Sequence, residues 1–216
     1  MTIRNLEYLF NPRSLVHVGG SNREGSLGTV LARNLLSEFD RDKVLFVNPK
    51  YDEVQGKPCY PNIASLPETP DLAVISTPAK TVPAIIQQLG EKGCRAAIVI
   101  SAGFGETGDD NDSLRQNMLD AARPYTMRII GPNCLGAIVP GSGLNASFAH
   151  LPAEKGKLAF VTQSGAIVTA ILDWAAPHKI GFSHLVSLGD MSDVDFGDML
   201  DYLANDRHTR AILLYV

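Results

Sequence analysis

The sequence is poor in cysteine: its three, Cys59, Cys94 and Cys134, are odd in number and far apart. No C-x-x-C pair occurs, which excludes a disulfide framework and a cysteine zinc site and fits reduced thiols. A long hydrophobic run is also missing. Nothing approaches the roughly 20 apolar residues that span a bilayer, so no membrane partner is expected. Met1–Phe10 carries Arg4 and Glu7 where a secretory signal would have an apolar stretch, so the expected location is cytoplasmic. Nor is there an excess of charge of one sign. The 19 Lys and Arg and 23 Asp and Glu give a net charge of −4, and the basic residues are scattered, with no stripe for nucleic acid. There is no solenoid-type repeat and no low-complexity segment. What is present is 45% hydrophobic residues in 216 positions, enough for one large or two small packed domains.

Short aliphatic runs alternate with longer amphipathic stretches, the pattern of βαβ units and a mainly parallel sheet. Strands are expected near Leu15–Gly19, Val44–Val47, Leu72–Ser76, Ala96–Ile100 and Met127–Ile130. Helices are expected between them, over Gly28–Phe39, Thr81–Lys92 and Ser113–Tyr125. Together these make one doubly wound, Rossmann-like domain over residues 1–140. The stretch Gly136–Gly156 carries Gly136, Gly141, Gly143, Pro140 and Pro152 with little periodicity, which places a linker there, taken as residues 141–156. A second βα series occupies 157–216, with strands at Lys157–Thr162 and Phe182–Ser187 and helices at Ser164–Ala175 and Asp195–Ala204. Ala211–Val216 reads as a strand without a return connection, so the second domain is expected to be incomplete.

The first strand empties into Gly19-Gly-Ser-Asn-Arg-Glu-Gly-Ser-Leu-Gly28 and then a helix, the position where open α/β sheets bind ligands. Glycines allow close backbone approach, and amides at a helix start attract phosphate. The spacing departs from G-x-G-x-x-G, and no G-K-[ST] follows, so neither the dinucleotide fingerprint nor the P-loop is matched. After the second strand, where dinucleotide folds place an acid for the ribose, stands Asn48-Pro49-Lys50. A lysine there disfavours NAD. It would suit the 2′-phosphate of NADP or the 3′-phosphate of coenzyme A, or simply stand in solvent. Ser76-Thr77-Pro78-Ala79 and Ser101-Ala102-Gly103-Phe104-Gly105-Glu106 add two small-residue loops at further strand ends, suited to an extended ligand or merely connecting.

These segments, with Gly131-Pro132-Asn133-Cys134-Leu135-Gly136 and Leu158-Ala-Phe-Val-Thr-Gln-Ser-Gly165, resemble the CoA-binding part of the nucleoside-diphosphate-forming acyl-CoA synthetases, succinyl-CoA synthetase α-subunits included. The resemblance covers essentially the whole chain. Gly143–Phe148, Leu172–Ala175 and Gly181–Asp190 look closer to bacterial members, among them Pat-type proteins fused to a GNAT acetyltransferase domain. The resemblance implies a CoA-binding domain followed by the start of a flavodoxin-like succinyl-CoA synthetase domain. It implies that Gly20, Ser21, Asn22, Arg23, Ser26 and Gly28 cradle the CoA phosphates, with Lys50 on the adenosine phosphate. Thr77, Pro78, Ser101, Ala102 and Gly103 would contact the nucleotide and pantetheine arm of CoA or acetyl-CoA. Asn133 would sit near the thiol, either donating to an acyl carbonyl or tying the turn. Thr162, Ser164 and Gly165 would form a phosphate site at a helix start, Ser164 doubling as N-cap.

Family synthetases relay phosphate through a histidine on a glycine-rich loop. None of His17, His150, His178, His184 and His208 stands on such a loop, and none has metal-ligand spacing, so all five read as structural or surface residues. That histidine and the ATP-grasp part holding ATP or ADP and Mg²⁺ are therefore expected after Val216, and these residues alone are expected to bind without turnover. Asp190, Asp193 and Asp195 lack EF-hand spacing and read as helix first-turn charges rather than a metal site. The implied parent is an ADP-forming ligase joining a small acid such as acetate to CoA. The rivals are a non-catalytic acyl-CoA sensor in a Pat-type acetyltransferase and an NADP-binding oxidoreductase domain.

Overall fold

The structure is a computed structural model that describes residues 3–104 and 109–216. In chain order the elements are α1 (Glu7–Phe10), β1 (Leu15–Val18), α2 (Leu27–Glu38), β2 (Val44–Val47), β3 (Glu53–Val54), β4 (Lys57–Tyr60), β5 (Leu72–Ile75) and α3 (Val82–Lys92). They continue with β6 (Ala96–Val99), α4 (Asp109–Ala122), β7 (Arg128–Ile130), β8 (Gly136–Val139), β9 (Leu144–Ser147) and β10 (Lys155–Thr162). The last are α5 (Gly165–His178), β11 (Phe182–Ser187), α6 (Phe196–Ala204) and β12 (Ala211–Tyr215).

The first sheet runs β3-β4-β2-β1-β5-β6-β7, parallel throughout except for the short β3–β4 hairpin at one edge. Strands β1, β2, β5 and β6 are short apolar or nearly apolar runs buried at every position, as a sheet covered on both faces demands. Side chains alternate between the two covers. Leu15, Val44, Phe46, Leu72 and Val74 face α1 and α2, while Val16, Leu45, Val47, Ala73 and Ile75 face α3 and α4. This is the doubly wound Rossmann-like arrangement expected from sequence. The second sheet runs β12-β10-β11-β8-β9, with a parallel flavodoxin-like trio and an antiparallel pair at one edge.

That antiparallel pair corrects the linker expectation. Residues 136–147, expected to be irregular at least in part, form the β8–β9 hairpin, and β8 pairs with β11. Ala137, Val139, Leu144 and Ala146 turn toward α2, while Leu135 and Ile138 turn toward α5. Glycines mark the hairpin's start and turn, and they masked the two short apolar strands between them. One apolar core therefore runs without a break from Leu31 and Leu35 of α2 through the hairpin to Val161 and Val186 of the second sheet and Met199 of α6.

The β11–α6 connection closes the junction from the other side. Val194 N–H donates to Ile129 O at 3.1 Å, Ser192 N–H to Gly131 O at 3.1 Å, and Asp190 N–H to Pro132 O at 2.9 Å. Asp193 accepts from Ile129 N–H at 2.7 Å. The exposed edge of β7 is thus covered by chain from the second sheet, which satisfies its backbone groups.

Candidate functional site at the strand ends

Strand β1 ends at Gly19, whose φ of +107° suits glycine and where a Cβ would lie 2.8 Å from Ser76 Oγ. The loop then folds back onto the start of α2. Ser26 is the N-cap, accepting from Thr29 N–H at 3.3 Å, and the Thr29 hydroxyl reaches the carbonyls of Ser21 (2.9 Å) and Arg23 (2.7 Å). A Cβ on Gly28 would stand 2.4 Å from Gly19 O, so only glycine lets the strand end rest on the helix's first turn. The positive end of α2 and its orphan amides therefore open at this loop.

Asn22 is tied down at both ends of its carboxamide. It donates to Glu53 O at 2.7 Å and accepts from Gln55 N–H at 3.0 Å, anchoring the loop to the β3–β4 hairpin. Its side chain is spent on structure. Ser21 Oγ accepts from Arg23 N–H at 3.0 Å and lies 3.2 Å from the Tyr51 hydroxyl. Asn48 donates to Gly20 O at 2.8 Å and accepts from Lys50 N–H at 3.0 Å, which sets Lys50 on the rim of the same loop. Arg23 and Lys50 are exposed, and neither forms an ion pair among the described residues.

The loops after β5, β6 and β7 are stitched in spatial order. Ser101, 7% exposed, donates through Oγ to Thr77 O at 2.6 Å, and Ser101 O accepts from Asn133 N–H at 2.9 Å. Pro78, Ala102 and Gly103 are exposed beside them, while Gly105 and Glu106 lie outside the described residues. The structure thus gathers Gly20–Gly28, Lys50, Thr77, Pro78, Ser101–Gly103 and Asn133 along one sheet edge, at the carboxyl ends of five parallel strands.

Asn133 also borders a second group. It follows a cis Gly131–Pro132 bond, adopts φ +56°, and with Gln163, Ser164, Gly165, Gly189 and Asp190 lines a cavity of about 430 Å³. Ser164 occupies the N-cap position of α5, as expected, but its side chain makes no capping bond. Thr162 Oγ1 instead accepts from Ser164 N–H at 3.0 Å, and the Ser164 hydroxyl, on the cavity wall, makes no hydrogen bond among the described residues. Asn133 Nδ2 donates to Asp190 Oδ1 at 3.3 Å, and Arg115 Nη2 lies 3.6 Å from Asp190 Oδ2. Cys134 is adjacent but inert: burial pushes its thiol up to about 12, and it donates to Val99 O at 3.4 Å.

The three aspartates expected as first-turn charges separate. Asp195 is the N-cap of α6, accepting from Asp198 N–H at 2.9 Å. Asp193 pairs with Arg128 at 2.9 Å, and Asp190 belongs to the cavity. Asp190 as a site residue escaped sequence reasoning, although its place just past β11 is the strand-end cue that marked the other loops. Among the described residues, no histidine lines this cavity. Burial pulls His17 down to about 3, and its Nε2 lies 2.9 Å from Ser76 Oγ, beneath the glycine loop. His150 forms an exposed pair with Asp173 at 2.7 Å.

Residues 13–140 match the family described as CoA binding domain, and residues 155–216 that described as succinyl-CoA ligase like flavodoxin domain. The chain is 42% identical, over 98% of its length and 30% of the relative's, to acetate–CoA ligase [ADP-forming] I of Archaeoglobus fulgidus. It is 41% identical, over 98% of itself and 46% of the relative, to the alpha subunit of acetate–CoA ligase [ADP-forming] II of Pyrococcus furiosus. Among solved structures, the apo dinucleotide-forming acetyl-coenzyme A synthetase 1 of Ca. Korarchaeum cryptofilum superposes with a TM-score of 0.92 at 38% identity, covering 98% of this chain and 46% of that one. The chain spans less than half the length of these relatives. The first of these family matches covers more than half of the chain, which therefore belongs to the CoA binding domain family, followed by a succinyl-CoA ligase like flavodoxin domain.

Proposed function

We propose that these residues bind coenzyme A across the edge of the first sheet and deliver its thiol end to the cleft between Asn133 and the start of α5. The parent protein would join a small carboxylic acid such as acetate to CoA with conversion of ATP to ADP. The alignment of five strand-end loops along one sheet edge, the last of them carrying Asn133 at the border of the α5 cavity, carries this reading. The edge suits the ligand: the amides at the start of α2 and the exposed cations Arg23 and Lys50 would meet phosphates, and the small residues of the 77–78 and 101–103 loops would meet the pantetheine arm. In the cleft, one Asn133 N–H is held by Asp190, which leaves the second to donate to an acyl carbonyl. The Ser164 hydroxyl and the α5 amides would receive the phosphate released when a thiol sulfur displaces it from an acyl phosphate. Other parts of the parent protein would supply the phosphorylated histidine and the nucleotide site, so these residues would bind without turning over.

Lys50→Ala tests the orientation. A charge-assisted contact from an exposed lysine to the 3′-phosphate predicts about a tenfold loss of CoA affinity, while dephospho-CoA binding stays unchanged. Equal losses for both ligands would move Lys50 to the pyrophosphate. Calorimetric titration showing NADPH bound more tightly than CoA would overturn the ligand assignment itself.

A further inference from the structure

A different cavity, of about 530 Å³, opens at the opposite end of the second sheet, where β10 and β11 begin. Its floor is aromatic. The Phe10 ring lies 4.9 Å from Tyr202 and 5.4 Å from His184, and His184 lies 5.9 Å from Tyr202, centroid to centroid. Its rim is cationic: Lys155, Lys157 and Arg207 are exposed there, and none forms an ion pair among the described residues. One acid, Asp206, shares the wall. Its carboxylate already accepts from Thr209 Oγ1 at 2.6 Å and His208 N–H at 3.1 Å, and it offsets one of three positive charges.

His184 stands at the bottom of the same cavity. It is 4% exposed and lines the cavity, yet among the described residues its ring makes no hydrogen bond, and Asp206 Oδ2 stands 3.7 Å from Nδ1. Buried polar side chains in folded proteins find a partner, so an imidazole left open at the bottom of a cavity points to a ligand that completes it. The Tyr202 hydroxyl is likewise unbonded among the described residues. The volume exceeds what a bare phosphate fills and falls in the range of small-molecule sites.

We infer that this cavity is a second ligand site, separate from the CoA edge, for a small organic anion bearing a flat ring. The anionic group would meet Lys155, Lys157 and Arg207, and the ring would lie on Phe10 and Tyr202 with His184 hydrogen-bonding its polar edge. Phenyl phosphate is a suitable probe, with inorganic phosphate as control and the imidazole and tyrosine ring resonances as the readout. The expected result is a saturable shift at His184 and Tyr202 with phenyl phosphate. Inorganic phosphate should bind at least tenfold more weakly. The exposed pair K155A/K157A should weaken phenyl phosphate about tenfold while leaving CoA affinity unchanged. Equal binding of the two anions would reduce the rim to a nonspecific cationic surface and overturn the proposal. So would silence at His184, or lysine variants that bind like wild type. The Lys50→Ala protein should bind phenyl phosphate normally, so this test stands or falls separately from the CoA assignment.

Discussion

Replacing Arg128 with methionine should loosen the joint between the two sheets. The guanidinium, on an 8% exposed side chain, donates to Asp193 Oδ2 at 2.9 Å and to Asp198 Oδ2 at 2.6 Å. Methionine keeps the aliphatic stem but withdraws the charge from Asp198, whose side chain is 7% exposed. Breaking one buried pair this way costs about 3–5 kcal/mol, because a desolvated carboxylate loses the guanidinium that bonds it at 2.6 Å. The Asp193 contact is 27% exposed on the acid side and adds only about 1 kcal/mol. For a chain of this length the total corresponds to a fall in Tm of roughly 8–24 °C. Urea unfolding at constant pH measures it directly. Adding Asp198→Asn to Arg128→Met removes the carboxylate that lost this guanidinium and should recover about 1–2 kcal/mol, a coupling visible in a double-mutant cycle. Hydrogen exchange should speed up at Ile129 and Val194, which the segment around Asp193 pairs. An Arg128→Met protein within about 1 kcal/mol of wild type, or strictly additive double-mutant losses, would show that the charges are solvated and that packing alone holds the joint.

Gly28→Ala sets two effects against each other: alanine favours a helix by about 1 kcal/mol, but its Cβ would meet Gly19 O at 2.4 Å. The clash should win, lowering stability by about 1–3 kcal/mol and CoA affinity at least tenfold, and a stabilised variant with normal CoA binding would refute the close approach. His17, pulled by burial from 6.5 to about 3, is neutral when folded, while the unfolded chain takes up the proton at higher pH. Its contribution is therefore complete above pH 6.5 and is lost as pH falls toward 3, about 2 kcal/mol of it between pH 7 and 5. A His17→Gln protein should show a flatter pH profile in urea midpoints, and an unchanged slope would mean the ring is accessible. Cys94 and Cys134, whose thiols burial pushes up to about 12, should resist iodoacetamide at pH 8 while the protein is folded. Rapid alkylation of Cys134 under native conditions would contradict its burial.

The parallel strands were legible because each is buried on both faces and reads as a short apolar run, Leu15–Val18 and Ala96–Val99 among them. The β3–β4 hairpin was not, since Glu53 and Lys57 carry the polarity of an edge. Strands β8 and β9 hid between glycines. The positions of the candidate-site loops were legible from topology alone, because loops at the carboxyl ends of parallel strands share one edge. How the side chains divide their work was not. Asn22 and Ser21 spend their polar atoms on hairpin and loop contacts, and Ser164 keeps its hydroxyl off the helix it starts. Those outcomes depend on partners up to 33 residues away, as with Gln55 for Asn22. The Arg128–Asp198 pair, 70 positions apart, leaves no local trace at all.

The β8–β9 hairpin bears on how this protein can be divided. The CoA binding match stops at residue 140, inside the turn of a hairpin that pairs with the second sheet. Asn34 of α2 donates to Ser147 O at 2.8 Å and Ala149 O at 2.9 Å, beyond that limit. Cutting at 140 would keep one strand of the hairpin, bare Ala137 and Val139, and leave Asn34 with no carbonyl to reach. Chain retained through Ala149 would preserve the α2 contacts, but Ile138 would then face water in place of β11 and α5. Sequence families divide this chain near residue 140; its apolar interior offers no seam there.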